Sequence, residues 1–154
     1  MKNFYTLNRL VLPAILFFAM ACKKSSDNSK TTYEKILGSW TLTASVSTPA
    51  VIDYNNDGVK DADEYKYMPD CSKDDFYTFL NTGIFERNEG VSKCRSTDMQ
   101  IEQAPWYLST DEKTLVVGIN QYTIVHLDDK QMVLSMADLF NGVAYTAVGT
   151  YKRK

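Results

Sequence analysis

The chain has 154 residues, with 17 Lys and Arg against 19 Asp and Glu, one His and three Cys. This length suits a single globular domain with one modest core. A formal charge of −2 gives no sign of the clustered positive surface that nucleic-acid binding needs, so we expect no nucleic-acid partner.

Residues 1–21 have the pattern of a secretory signal peptide. They begin with a charged region containing Lys2 and Arg9, continue with a short apolar run, and end with Ala21 directly before Cys22. The apolar run is too short for a helix that spans a bilayer, which needs about 20 residues. We therefore expect this segment to be removed on export.

Cys22 is the predicted site of lipidation, because a cysteine directly after such a run accepts diacylglycerol during lipoprotein processing. Acyl chains such as palmitate contribute about 0.8 kcal/mol per buried methylene, which holds a domain on a membrane surface. Ala19 stands where the bacterial lipobox usually has Leu, so ordinary cleavage to a secreted soluble form is the alternative. Residues 22–32, rich in Ser, Lys and Asn, are expected to form a flexible tether.

Lipidation of Cys22 leaves Cys71 and Cys94 as a pair. Between them the sequence predicts two strands joined by a turn centred on Thr82 and Gly83. Such a hairpin pairs residues whose numbers add to 165. The numbers of the two cysteines also add to 165, so the hairpin would place them opposite each other. We predict a disulfide worth about 3 kcal/mol. Two buried thiols or a metal pair are the alternatives. A zinc site is disfavoured because the chain has one His and lacks CxxC spacing.

Residues 33–154 predict one all-β domain, because short segments rich in Val, Ile, Thr, Tyr and Phe alternate with Gly, Asn and Asp turns. A brief helical turn is expected at residues 33–37. The expected strands are residues 38–46, 75–80, 84–87, 99–109, 114–119, 122–127, 131–136 and 143–152. Eight strands in succession are typical of an up-and-down antiparallel barrel, or of a nearly closed meander, which hides its edges.

The first predicted strand alternates cleanly between apolar and small polar residues. Trp40, Leu42, Ala44 and Val46 are expected to face the core, with the threonines and serines between them facing outward. Such a strand lines a core on one side only.

Four motifs occur along the chain: Leu37-Gly38-x-Trp40, Cys71-x-Lys73-Asp74-Asp75-x-Tyr77-x-Phe79 before Gly83, Gly90-x-x-Lys93-Cys94, and Trp106-x-Leu108. Together they resemble the lipocalin-like domain of Gram-negative bacterial lipoproteins. In lipocalins the tryptophan of G-x-W lies at the closed end of the barrel, often under a basic residue of the last strand, here Arg153 or Lys152. The resemblance implies a binding or structural domain of the cell envelope, anchored to the outer membrane on its periplasmic or surface face, with no catalytic residues.

Residues 53–64 match the twelve-residue EF-hand calcium loop, with Gly58 at the sixth position. The expected Ca²⁺ ligands are Asp53, Asn55, Asp57, Val59 through its carbonyl, Asp61 and Glu64. Lys60 replaces a usually apolar residue and Pro49 disfavours a preceding helix, so we expect a helix-free loop inserted between the first two strands. Calcium would order this loop rather than signal, and a solvated acidic turn is the alternative.

Seven aromatic residues could line a ligand cup, although side chains of this kind also commonly fill small barrels. They are Trp40, Tyr77, Phe79, Phe85, Trp106, Tyr122 and Tyr145. The single His126 and the pairs Asp74-Asp75 and Asp128-Asp129 accompany no nucleophile motif, and the acidic pairs are expected to be solvated turn residues. We therefore expect no catalytic residues and no enzymatic activity.

Two functions fit these patterns. The first is a non-enzymatic, lipid-anchored and calcium-stabilised envelope domain that binds a small apolar ligand. The second is a protein-interaction or inhibitor-type module that uses the calcium loop and the barrel rim as its contact surface.

Overall fold

The computed structural model describes residues 30–154 as a closed barrel of eight antiparallel strands. Each strand pairs with its neighbours in sequence, and the last pairs with the first. The strands are β1 (Gly38–Thr48), β2 (Phe76–Phe79), β3 (Ile84–Asn88), β4 (Ile101–Leu108), β5 (Thr114–Val117), β6 (Asn120–Leu127), β7 (Gln131–Phe140) and β8 (Val143–Arg153). The predicted up-and-down barrel is confirmed. The predicted signal peptide, Cys22 and most of the tether lie outside the described residues.

Three short helices accompany the barrel. α1 (Thr32–Ile36) is the expected helical turn, and a capping box between Thr31 and Glu34 defines its start. α2 (Glu64–Tyr67) and α3 (Asp70–Lys73) lie in the long connection between β1 and β2 and were not expected from the sequence.

Within residues 30–154, the helices are all too short and too polar to cross a membrane.

One end of the barrel is closed by α1 and the start of β1. Ile36 and Trp40 are fully buried there, and the Trp40 indole N–H donates to the Ile36 carbonyl at 2.7 Å. The guanidinium of Arg153 covers the Trp40 ring, whereas Lys152 is exposed. Of the two basic residues considered for this position, Arg153 therefore occupies it.

The alternation of β1 is broken by a β-bulge. Its pairing with β8 shifts by one residue between Leu42 and Ala44, which makes Thr43 the extra residue. Beyond a bulge the two faces of a strand exchange. The expectation that Ala44 and Val46 face the core is therefore wrong: Ser45 lines the interior, Val46 is 42% exposed, and the neighbouring Ser47 is buried instead.

The predicted disulfide between Cys71 and Cys94 is confirmed, with Cα atoms 5.2 Å apart. The reason offered for it was wrong. The β2–β3 hairpin pairs residues whose numbers add to 164, such as Tyr77 with Arg87, because its loop contains three residues rather than two. Cys71 lies in α3, and Cys94 lies in the connection between β3 and β4. The bridge therefore joins two connections at the open end rather than two strands.

The wall of the barrel is lower on one side of its open end. The short β5–β6 hairpin reaches only the level of Pro105, whose carbonyl accepts from the Gly118 N–H at 2.8 Å. Within the described chain, residues 101–104 of β4 therefore pair only with β3, and residues 136–140 of β7 pair only with β8.

Candidate functional site

A cavity of about 160 Å³ lies inside the barrel. It is lined by side chains that point inward from β2, β3, β5, β6, β7 and β8, because residues of one parity on each strand share a face. The lining residues are Tyr77, Phe79, Phe85, Leu115, Val117, Tyr122, Met132, Leu134 and Tyr151. The lining is thus almost entirely aromatic and aliphatic.

The structure separates the seven aromatic residues of the predicted cup into three groups. Tyr77, Phe79, Phe85 and Tyr122 line the cavity. Trp40 and Trp106 belong to the packed core, where Trp106 packs edge-on against Phe79 at 5.3 Å between ring centroids. Tyr145 lies near the rim, where its hydroxyl donates to Asp138 at 3.3 Å.

Five lining residues were absent from the predicted cup, namely Leu115, Val117, Met132, Leu134 and Tyr151. Four of them are aliphatic, and the prediction considered aromatic residues only. The alternation of β5, β7 and β8 contains the signal that would have found them, because each occupies an inward position of its strand.

A second cavity, of about 200 Å³, adjoins the first. The two share Tyr122, Leu134 and Tyr151, and the second extends towards Leu42 and Ser45 on β1. Burial raises the pKa of Tyr151, as it does for Tyr77 and Tyr122. These phenols are therefore neutral at physiological pH and present a hydroxyl dipole to an otherwise apolar interior.

A layer of charged side chains lies beyond the cavity towards the open end. Arg87 is directly opposite Tyr77 in the β2–β3 ladder and therefore points into the barrel with it. Its Nη2 lies 3.0 Å from Asp75 Oδ2 and 2.9 Å from Glu89 Oε1, and its Nη1 lies 3.6 Å from Glu102. Three carboxylates thus share one guanidinium.

The expectation that Asp74-Asp75 forms a solvated turn is wrong for Asp75, which is 2% exposed. Burial raises the pKa of this carboxyl, although the hydrogen bond from Arg87 acts in the opposite direction. Asp74 accepts hydrogen bonds from the Val91 and Ser92 amides through Oδ2. It therefore ties the β3–β4 connection to the start of β2.

The loop at residues 53–64 has the internal hydrogen bonds of a tight Asx-rich turn. Asp53 accepts from the amides of Asp57 and Gly58, and Asp57 accepts from the amide of Val59. Gly58 has a positive φ of 89°, which an L side chain rarely adopts. These bonds give the loop a compact backbone, without a metal ligand set among the described residues.

The oxygen-bearing side chains at the end of this loop make contacts with their surroundings. Asp61 accepts from the Tyr67 hydroxyl at 2.9 Å, and Glu64 accepts from the Ser45 hydroxyl at 2.7 Å. Within residues 30–154, no three His, Cys, Asp or Glu side chains converge closely enough to hold a metal ion. The donors are all oxygen, which fits Ca²⁺ chemically, and the acidic side chains would have to turn inward to surround an ion.

The flanks of the loop differ from the helix-free expectation. The element before it is β1, as expected, but Glu64, at the twelfth position, begins α2, and Asp63 caps that helix by accepting from the Lys66 amide at 3.0 Å. The one-turn helix forms because Asp63 satisfies an amide that would otherwise lack a partner.

His126 and Asp128 form an exposed pair at the closed end, with Nε2 and Oδ2 3.1 Å apart. Asp128 also accepts from the amides of Lys130 and Gln131 at 2.7 Å each, and these bonds lower its pKa to about 2. Its role is to hold the β6–β7 turn.

No protein-family model and no curated protein matches this chain. Similar solved structures include a deswapped triple mutant of bovine odorant binding protein, at 16% identity and a TM-score of 0.43, covering 78% of this chain and 74% of that one. The odorant-binding protein from bovine nasal mucosa matches at 15% identity and a TM-score of 0.45, covering 83% and 77%. A complex of the bovine protein with its natural ligand matches at 15% identity and a TM-score of 0.45, covering 84% of this chain and 77% of that one. Likenesses of this size extend to the general shape of the barrel and carry nothing about what this chain binds.

Proposed function

We propose that this chain is a non-enzymatic, lipid-anchored protein of the cell envelope whose barrel binds a small apolar molecule. The observation that carries the proposal is the cavity of about 160 Å³ with its aromatic and aliphatic lining. Apolar protein cavities of about 150 Å³ stay dry and take up benzene. A molecule of that size would gain dispersion contacts and leave water at the same time.

The size of the interior limits the ligand. Pockets for drug-sized molecules span about 300 to 1,000 Å³, so the first cavity alone suits a single ring or a short alkyl chain. The adjoining cavity of about 200 Å³ would admit a longer molecule if the shared Tyr122 and Tyr151 side chains moved. The neutral phenols would accept or donate one hydrogen bond to such a ligand.

Toluene titrated into the purified full chain and followed by calorimetry tests this proposal. Val117 lines the cavity, and Val117→Phe would fill it and abolish binding. The matched control is Val125→Phe, which places the same ring at an exposed position on β6 and would leave binding intact. No saturable heat in the wild type, or equal affinity in Val117→Phe, would contradict ligand binding.

The anchor in this proposal is a lipid on Cys22. Support for its orientation comes from Lys30, whose amino group lies 2.7 Å from Asp129 in the β6–β7 turn at the closed end. A tether that leaves the domain there would place the closed end towards the membrane and the open end away from it. The ligand would then enter from the aqueous side.

Calcium has a structural role in this proposal. Its support is the full set of oxygen donors in residues 53–64 and the attachment of Glu64 to Ser45 on the barrel wall. Because Ser45 lies beside the second cavity, an ordered loop would also stabilise that part of the interior. An extracellular-type site of this kind binds Ca²⁺ at about 0.1 to 1 mM.

A protein-interaction role is the second candidate, favoured by apolar side chains exposed around the open end. Val59 of the acidic loop and Leu139 and Val143 of the β7–β8 hairpin are all at least half exposed. If this rim is a contact surface, Leu139→Asp would release the chain from a larger complex in native electrophoresis of envelope extracts. Migration as an unaccompanied chain before the substitution would argue against this role.

A further inference from the structure

The charged layer around Arg87 is unusual for the interior of a small barrel. Asp75 and Glu89 are 2% and 3% exposed, and each places only one carboxylate oxygen against the guanidinium. Within residues 30–154, no hydrogen-bond partner lies within reach of Asp75 Oδ1 or Glu89 Oε2, although both atoms are buried. A buried acceptor without a partner costs about 1 to 3 kcal/mol, so these two oxygens need an explanation.

This layer lies next to residues that line the cavity. Tyr77 lines the cavity and lies directly opposite Arg87 in the ladder, and Phe85, two residues before Arg87, lines it as well. Since alternate residues of a strand share a face, Arg87 is the next inward-facing residue beyond Phe85. A ligand that extends from the cavity towards the open end would therefore meet this layer.

The balance of charge in the layer is negative. Arg87 is one cation against the carboxylates of Asp75, Glu89 and Glu102, and its Nη2 is already shared between the first two. An anionic ligand would meet three like charges and a guanidinium that is already paired. A cationic group would offset the excess and donate to the two unpaired oxygens.

Resting on the proposed ligand binding, we propose that the ligand carries a primary ammonium group, which donates hydrogen bonds to Asp75 Oδ1 and Glu89 Oε2 while its apolar body occupies the cavity beside Tyr77 and Phe85. The chemical class is a small aryl or alkyl amine. The ammonium has three donors, so it can satisfy both oxygens at once and still bind water. Arg87 is then the residue that holds the two carboxylates in position.

Three probes of similar size and different charge test this inference on the purified full chain: benzylamine, benzyl alcohol and benzoate. At pH 7 the first is a cation, the second is neutral and the third is an anion. We expect benzylamine to bind about tenfold more tightly than benzyl alcohol, because charge-assisted hydrogen bonds are about twice as strong as neutral ones. Benzoate is expected to bind most weakly.

The variants Asp75→Asn and Glu89→Gln each remove one carboxylate, and we expect the preference for the amine to fall to about twofold or less in both. The matched control is Glu86→Gln. Glu86 lies on β3 beside Arg87 but on the outward face, where it accepts from Gln103, so this variant retains the preference. Near-ultraviolet circular dichroism checks that each variant is folded.

The wild-type series decides the inference even if a variant does not fold. Equal affinity for benzylamine and benzyl alcohol, with toluene still bound, would overturn the ammonium site and leave ligand binding standing. No binding of toluene or of any of the three probes would instead overturn the proposed function itself. A preference for the amine that persists in both Asp75→Asn and Glu89→Gln would also overturn the assignment to these residues.

Discussion

The guanidinium of Arg153 lies 4.2 Å from the centroid of the Trp40 ring and donates to the carbonyl of Leu37 at 2.7 Å. The last strand thereby seals the first at the closed end. Gly38 makes this approach possible, since a Cβ at that position would lie 2.7 Å from the Arg153 guanidinium and its φ of 107° is one that L side chains rarely adopt. The glycine of the G-x-W motif thus leaves space for the Arg153 guanidinium, and the tryptophan packs against it.

Arg153→Ala is expected to lower the free energy of unfolding by about 2 to 4 kcal/mol. It removes a cation–π contact and leaves carbonyls at the end of α1 without their charged donor. Chemical denaturation followed by tryptophan fluorescence measures the loss. Lys152→Ala, at the adjacent exposed position, is the control and should change stability by no more than about 0.5 kcal/mol. Equal effects of the two substitutions would contradict the role of Arg153.

Loss of the Cys71–Cys94 bridge is expected to cost about 3 kcal/mol, because the bridge restricts a loop of about 24 residues in the unfolded chain. Denaturation curves of the wild type and of the double Cys→Ala variant would report the difference. A non-reducing peptide map should contain one fragment that joins the two cysteines. Two freely alkylated thiols in that map would refute the bridge.

Calcium at 10 mM is expected to stabilise the protein by about 1.4 to 2.7 kcal/mol if the loop binds it with a dissociation constant of about 0.1 to 1 mM. Asp53→Ala or Glu64→Ala should abolish the rise in melting temperature. Asp70→Ala, which removes a fully exposed carboxylate nearby, should leave the rise intact. Melting curves that coincide in calcium and in chelator would exclude the site.

The β6–β7 turn is expected to weaken in acid because the pKa of Asp128 falls from 3.8 to about 2 on folding. A lowered folded-state pKa means that the stabilising contribution is present above about pH 4 and is lost as the pH falls through about 2. Asp128→Asn keeps a carbonyl acceptor for the turn amides but does not titrate. The melting temperatures of wild type and variant should therefore converge between pH 4 and pH 2, and curves that stay parallel would be inconsistent with this assignment.

Lipidation of Cys22 predicts that the full chain partitions into the detergent phase of an envelope extract. Cys22→Ala should move the protein to the aqueous phase, because the acyl chains that hold it at the membrane are absent. Metabolic labelling with a palmitate analogue should mark the wild type only. Unchanged soluble secretion of both forms would rule out the anchor.

The number and order of the strands could be predicted from the sequence because the signals are local. Turn residues such as Asn141-Gly142 interrupt β-branched and aromatic segments at short intervals, and each strand then pairs with the next. Register was less predictable. The bulge at Thr43 and the three-residue loop of the β2–β3 hairpin each shift a strand by one residue, and single-residue shifts depend on closure of the whole barrel.

The candidate site was only partly predictable for the same reason. Tyr77, Phe79, Phe85 and Tyr122 could be proposed from their residue type and their position on strands. Asp75 could not, because an acidic residue before a strand is typical of a solvated turn. Only the ladder that places Arg87 opposite Tyr77 brings Asp75 and Glu89 inside the barrel.

The sequence by itself determined the all-β architecture and the twelve-residue pattern at residues 53–64, since both follow from spacing along the chain. It also determined the pairing of Cys71 with Cys94, because assigning Cys22 to lipidation leaves only these two cysteines. The tertiary structure decided which side chains face the interior, how large the cavity is, and that a negative layer lies at its outer end. Those properties arise when strands distant in sequence close on one another, and no local pattern contains them.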